Sequence, residues 1–93
     1  MVCYNFKQYD IKGFEVGKGN KKYNALIQHK KTKEIVKIPF GDKRYEQYKD
    51  SALGIYSHLD HHDKYRRCAY QKRHKNDNLH CFSPGYFSWF YLW

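Results

Sequence analysis

Residues 41–75 read GDKRYEQYKDSALGIYSHLDHHDKYRRCAYQKRHK, and the run beginning at Asp60 decides the fold class, because it holds the one long helix the sequence predicts. Asp60 is placed to serve as its N-cap, Asp63 follows three residues on near the positive helix end, and neither Gly nor Pro intervenes before His74. At about 100° per residue, Tyr65, Cys68 and Ala69 fall on one narrow stripe with His62 beside them. Arg66, Tyr70 and Arg73 form a ladder along the flank, and Lys64, Arg67 and Gln71 lie on the far side. The stripe is expected to dock and the remainder to present positive charge. Just upstream, Gly41-Asp42 is expected to turn the chain into a short helix through Tyr45 and Tyr48.

N-terminal to this region the pattern changes to that of strands. Within residues 21–40, Tyr23, Ala25 and Ile27 alternate with Asn24, Leu26 and Gln28. The tetrad Lys30-Lys31-Thr32-Lys33 then makes a polar turn, and Val36, Ile38 and Phe40 return along one face, which predicts a hairpin. Pro39 cannot donate to a ladder, so the second strand ends there or lies at an edge. Residues 2–9 (VCYNFKQY) read as a further edge strand. Residues 11–20, with Gly13, Gly17 and Gly19, read as a loop in which Phe14 and Val16 form at most a short strand. Gly17-Lys18-Gly19 lacks the Gly-Lys-Ser/Thr ending and the following helix of a phosphate loop, and reads as an ordinary turn.

At the other end, residues 75–80 form a polar connector with Asn76-Asp77-Asn78 as its turn. The chain closes on FSPGYFSWFYLW, residues 82–93. There Ser83-Pro84 marks a helix start and Tyr86, Phe87, Trp89, Phe90, Tyr91 and Trp93 surround Ser88 on almost every face. So apolar a segment has to be covered, by its own sheet as core or by a partner as an anchor. The expected fold is therefore α+β, a single domain over residues 1–93. A small antiparallel sheet with an N-terminal hairpin is packed by a short helix, a longer basic helix and an aromatic C-terminal helix.

Eighteen Lys plus Arg against nine Asp plus Glu give a formal charge of +9, and such a field recruits an acidic partner. Residues 1–40 carry nine basic and three acidic side chains, whereas residues 79–93 carry no Asp, Glu, Lys or Arg: charge recruits in the front and middle, and the end packs. The odd count of Cys3, Cys68 and Cys81 predicts three free thiols in a reducing compartment. No apolar run approaches the ~18 to 20 residues of a membrane span, and no apolar signal segment opens the chain.

Three kinds of chemistry compete for the polar residues. Metal binding has two possible sets, His58, Asp60, His61, His62 and Asp63, or Cys68, His74, His80 and Cys81, but neither shows a zinc spacing. A one-metal nuclease would use a histidine base beside a hairpin, yet both acids of residues 58–63 are accounted for as helix-start groups. The expectation is no metal, no cofactor and no catalytic residue. Binding is the third kind, and its expected residues are Lys64, Arg66, Arg67, Tyr70, Lys72 and Arg73, whose cations and ring suit phosphates or the carboxylates of a protein neighbour.

Four phrases carry a family resemblance: IPFGDKRYEQYKD (38–50), LGIYSHLDHHDKYRR (53–67), YQKRH (70–74) and FSPGYFSWFYLW (82–93). They resemble a group of small, basic, largely uncharacterised proteins of large double-stranded DNA viruses of algae and other eukaryotic microbes. The resemblance implies a viral source, with the chain made in the host cytoplasm or nucleus and carried in the virion, and it supplies no activity or catalytic residue. Together with the absence of a convincing active-site pattern, it leads to the expectation of a non-enzymatic virion component. The first candidate is a minor capsid or cement protein whose partners are capsid proteins of the same virus. The alternative is a protein that coats or condenses viral DNA, and the third a metal-dependent nuclease.

Overall fold

The structure, a computed structural model, describes residues 4–76 and 79–93. It is α+β, as expected, with small antiparallel sheets and two α-helices. The central sheet has three strands in the order β2 (Tyr9–Val16), β3 (Tyr23–His29), β4 (Ile35–Phe40). A two-stranded ribbon joins β1 (Tyr4–Asn5) to β5 (Cys81–Phe82). The helices are α1 (Lys64–His74) and α2 (Pro84–Tyr91).

The predicted hairpin is β3–β4. Its register sets Tyr23 against Phe40, Ala25 against Ile38 and Ile27 against Val36, so the alternating apolar residues of both strands share one face. Pro39 lies in β4, an edge strand. On that face sits α2, whose Phe87 is fully buried among Phe14, Phe40, Phe82, Tyr86 and Tyr91. The start of α2 follows its sequence signature, with Ser83 Oγ accepting from the Tyr86 amide at 3.1 Å and Pro84 in the first turn. The aromatic C-terminal helix is core.

Other expectations are corrected. The strand foreseen over residues 2–9 is interrupted: Asn5 accepts from the Gln8 amide through both its backbone and its side chain, at 3.2 and 2.8 Å, and turns the chain before β2. Residues 9–16, foreseen mostly as loop, form the longest strand. A bulge between Ile11 and Gly13 makes three residues of β2 span two of β3, so Ile11 pairs with Ile27 and Phe14 with Ala25 on the same face. Gly13 at this bulge takes φ +154°. No helix forms through Tyr45 and Tyr48; the short helix is a 3₁₀ turn at Ser57–Leu59.

Residues 42–63 instead form an irregular layer held by buried polar side chains. Gln47 is fully buried, its amide donating to Tyr56 O at 2.8 Å and to Asp60 Oδ1, while Asp60 Oδ1 also accepts the Asp50 amide at 2.8 Å. Asp50 accepts the Tyr23 hydroxyl at 2.5 Å and the amides of Ala52 and Tyr56 at 3.0 Å each. The Lys49 and Ser51 amides donate to the carbonyls of Leu92 and Tyr91, which ties this layer to the end of α2. Cys81 is disulfide-bonded and Cys68 is free, so the expectation of three free thiols does not hold. Of the turn expected at Asn76-Asp77-Asn78, Asp77 and Asn78 lie outside the described residues. No helix among the described residues is long and apolar enough to cross a membrane.

Candidate functional site

The basic helix α1 begins three residues later than expected. Asp63, and not Asp60, is its N-cap, accepting from the amides of Tyr65 at 2.9 Å and Arg66 at 3.3 Å. Asp60 is occupied in the Gln47 and Asp50 bonds described above. His62 takes φ +52°, and the chain turns there before entering the helix.

The helix also turns the opposite side to the body. Tyr65 is 89% exposed and Cys68 and Ala69 are exposed, so the stripe expected to dock faces solvent. Tyr70 is the buried residue of α1: its ring lies 4.4 Å from that of Trp93 with planes 5° apart, and His74 stacks on it at 4.2 Å. Planar stacking against a terminal tryptophan outweighs the small apolar area that Cys68 and Ala69 offer.

Beneath the docked side is an open cleft of about 480 Å³. Arg66, Tyr70, Arg73 and His74 form its α1 wall, and Phe40, Leu92 and Trp93 give it apolar surface. Lys21, Lys22 and the segment Gly41, Asp42, Tyr45 and Glu46 stand on the other side, and Pro84, Gly85 and Ser88 of α2 complete it. Of the six predicted binding residues, Arg66, Tyr70 and Arg73 therefore line the cleft. Lys64 and Lys72 are exposed away from it, and the Arg67 guanidinium lies 4.8 Å over the Tyr48 ring beside a smaller hollow of about 140 Å³.

The charges of the cleft are partly matched. Arg66 donates to Glu46 at 2.9 Å, which holds that carboxyl below its usual range. Arg44 binds Asp42 through two bonds, at 3.0 and 2.7 Å, and with its own amide lowers the carboxyl to about 2. Lys21 and Arg73 make no ion pair among the described residues. Lys22, 2% exposed, donates to Tyr45 O at 2.8 Å and to Gln47 Oε1. Burial pushes its ammonium pKa down, against the opposing pull of Asp50, Asp42 and Asp60.

His61 stands at the root of α1. Its Nδ1 accepts the Asp63 amide at 2.9 Å, its ring lies 5.2 Å from Trp93, and its Nε2 is buried with no hydrogen-bond partner among the described residues. Burial first, and then the Arg66 charge, hold its pKa below the ordinary value. Among the described residues no three His, Cys, Asp or Glu gather as a metal-binding group.

Sequence reading missed Lys22, Gly41, Glu46 and Trp93 as parts of this site. Gly41 gives the clearest signal, since its φ of +74° strains any side chain and a Cβ placed there would press on Leu92 Cδ1 at 3.0 Å. Comparison of the chain with protein-family models, curated proteins and solved structures gives no match in any of the three.

Proposed function

We propose that this chain is a non-enzymatic binding protein that lays α1 against a polyanion, and that the polyanion is DNA. One observation carries the reading: α1 and its C-cap bear Lys64, Arg66, Arg67, Lys72, Arg73 and Lys75 with no acidic residue among them, and the helix is exposed along most of its surface. Like charges so closely spaced repel one another, and a polyanion relieves that repulsion while releasing its counterions. Their arrangement fits a groove. Opposite Tyr70 lie Cys68, Lys72 and Tyr65, with Arg66 and Arg73 toward one flank and Lys64 and Arg67 toward the other. A helix carrying cations on two flanks meets the two phosphate walls of a duplex major groove, which is about 12 Å wide. The viral resemblance supports placing that DNA in a virion.

A shell component remains the second reading, supported by Tyr65, a highly exposed ring set among arginines and lysines, the composition of interface hot spots. Its other support, an aromatic tail anchored in a capsid groove, is weaker because Phe87 and Leu92 of that tail are core. A nuclease gains no support, since Asp60 and Asp63 are both engaged in holding the backbone.

The test is duplex binding by fluorescence anisotropy over a range of salt. The expected result is a linear fall of log K with log salt, its slope about 0.9 per phosphate neutralised and reduced by about 2 when Lys64 and Lys72 are both replaced by Ala. A chain that ignores duplex DNA at physiological salt but leaves the virion with the shell would establish the second reading instead.

A further inference from the structure

We propose that the cleft under α1 is a binding site for an organic phosphate of about mononucleotide size, distinct from the outward surface of α1 and sharing with the flank of that helix only Arg66 and Arg73. Its volume, about 480 Å³, lies within the ~300 to 1,000 Å³ typical of small-molecule sites and far exceeds the needs of a bare inorganic anion.

Positive side chains converge on it from two parts of the chain, Lys21 and Lys22 just before β3 and Arg66 and Arg73 of α1. The two acids at its edge are already held, Glu46 by Arg66 and Asp42 by Arg44, while Lys21 and Arg73 have no ion-pair partner among the described residues. Buried Lys22 supplies an independent indication. Its ammonium has three donors, and the described residues accept two, through Tyr45 O and Gln47 Oε1. The third has no acceptor among them, and Lys22 lines the cleft. A ligand oxygen at this wall of the cleft can accept from it. At the far end, Gly85 in the first turn of α2 brings backbone close to the ligand without a side chain between, and Ser88 adds a hydroxyl.

The remaining surface is aromatic and aliphatic, from Phe40, Tyr45, Leu92 and Trp93. Cations and donors beside apolar rings suit a phosphate ester carrying a flat organic group, which a free nucleotide and the terminal nucleotide of a nucleic-acid strand share.

Trp93 is one of two tryptophans, so Trp89→Phe makes it the sole indole reporter. Titrating that chain with AMP, with inorganic phosphate and with a short 5′-phosphorylated oligonucleotide should give saturable fluorescence changes for the organic phosphates. Arg73→Ala or Lys21→Ala should each weaken AMP roughly tenfold, the loss of one charge-assisted bond, and Lys64→Ala should leave it unchanged. Tighter binding of AMP assigns the site to free nucleotide; tighter binding of the oligonucleotide assigns it to a strand end. No saturable response to either, equal affinity for inorganic phosphate and AMP, or indifference to Arg73→Ala overturns the proposal. If Trp89→Phe does not fold, the Gly85 and Gly41 amide shifts of the unsubstituted protein carry the same readout. Since AMP carries no duplex, failure here is distinguishable from failure of DNA binding along α1.

Discussion

Tyr23 donates to Asp50 and accepts from the Ile55 amide at 3.1 Å, so one hydroxyl joins the end of the sheet to the irregular layer above it. Removing it as Tyr23→Phe leaves a buried carboxylate short of one donor and the Ile55 amide short of an acceptor. A loss of about 1 to 3 kcal/mol is expected in the denaturant midpoint, with the slope unchanged. His61 makes stability depend on pH. Above its ordinary value of about 6.5 it is neutral folded and unfolded and contributes no pH dependence. As pH falls through that value the unfolded chain takes up a proton while the folded ring, its pKa lowered by burial, does not. Stability therefore declines with falling pH until the folded value is reached. His61→Asn retains an acceptor for the Asp63 amide and should flatten that part of the stability profile relative to the parent, measured by thermal unfolding between pH 5 and 8 (about the range over which histidine titrates). Neither Asp50 nor Gln47 was legible as buried, because the partners that permit burial lie far off in the chain and no local pattern announces them.

At the scale of elements, the hairpin and α2 were readable because each has its period and its punctuation: alternation around a lysine-rich turn, and Ser-Pro before an aromatic run. The strand β2 was hidden because its bulge puts Ile11 and Phe14 on one face three residues apart, which erases the two-residue period. The helix α1 was found but turned about its axis, since counting apolar residues favours Tyr65, Cys68 and Ala69 and does not foresee the ring on Trp93. This difference has an energetic consequence. A helix held to the body mainly through Tyr70 opens separately from the core. Tyr70→Ala should bring amide exchange of residues 64–74 close to unprotected rates while the β3 amides keep their protection; loss of both together would show that α1 belongs to the core. Truncation before Ser83 should act in the reverse manner. It removes Phe87 and Leu92, and a single buried Phe is worth ~3 to 5 kcal/mol, so the cooperative transition should disappear.

For the whole molecule, the composition announces attraction to an acidic partner without saying where on the surface it acts. The longest dimension is 41 Å, several times the ~8 Å over which exposed charges act at physiological salt, so separate basic patches act as separate sites. Two candidates compete: α1, and the β3–β4 turn with Lys30, Lys31 and Lys33. The turn is the weaker one, because Lys30 already lies 3.7 Å from Asp10, whereas Lys64, Arg67 and Lys72 stand along one helix that carries no acid. Replacing Lys64, Arg67 and Lys72 together by Ala should reduce the salt slope of duplex binding by about 2.7, at about 0.9 for each phosphate no longer neutralised. Replacing Lys30, Lys31 and Lys33 removes the same formal charge and should leave the slope nearly intact. Equal reductions in the two triple variants would mean that net charge alone, and no particular surface, draws the protein to DNA, and α1 would then lose its standing as the element that meets the duplex.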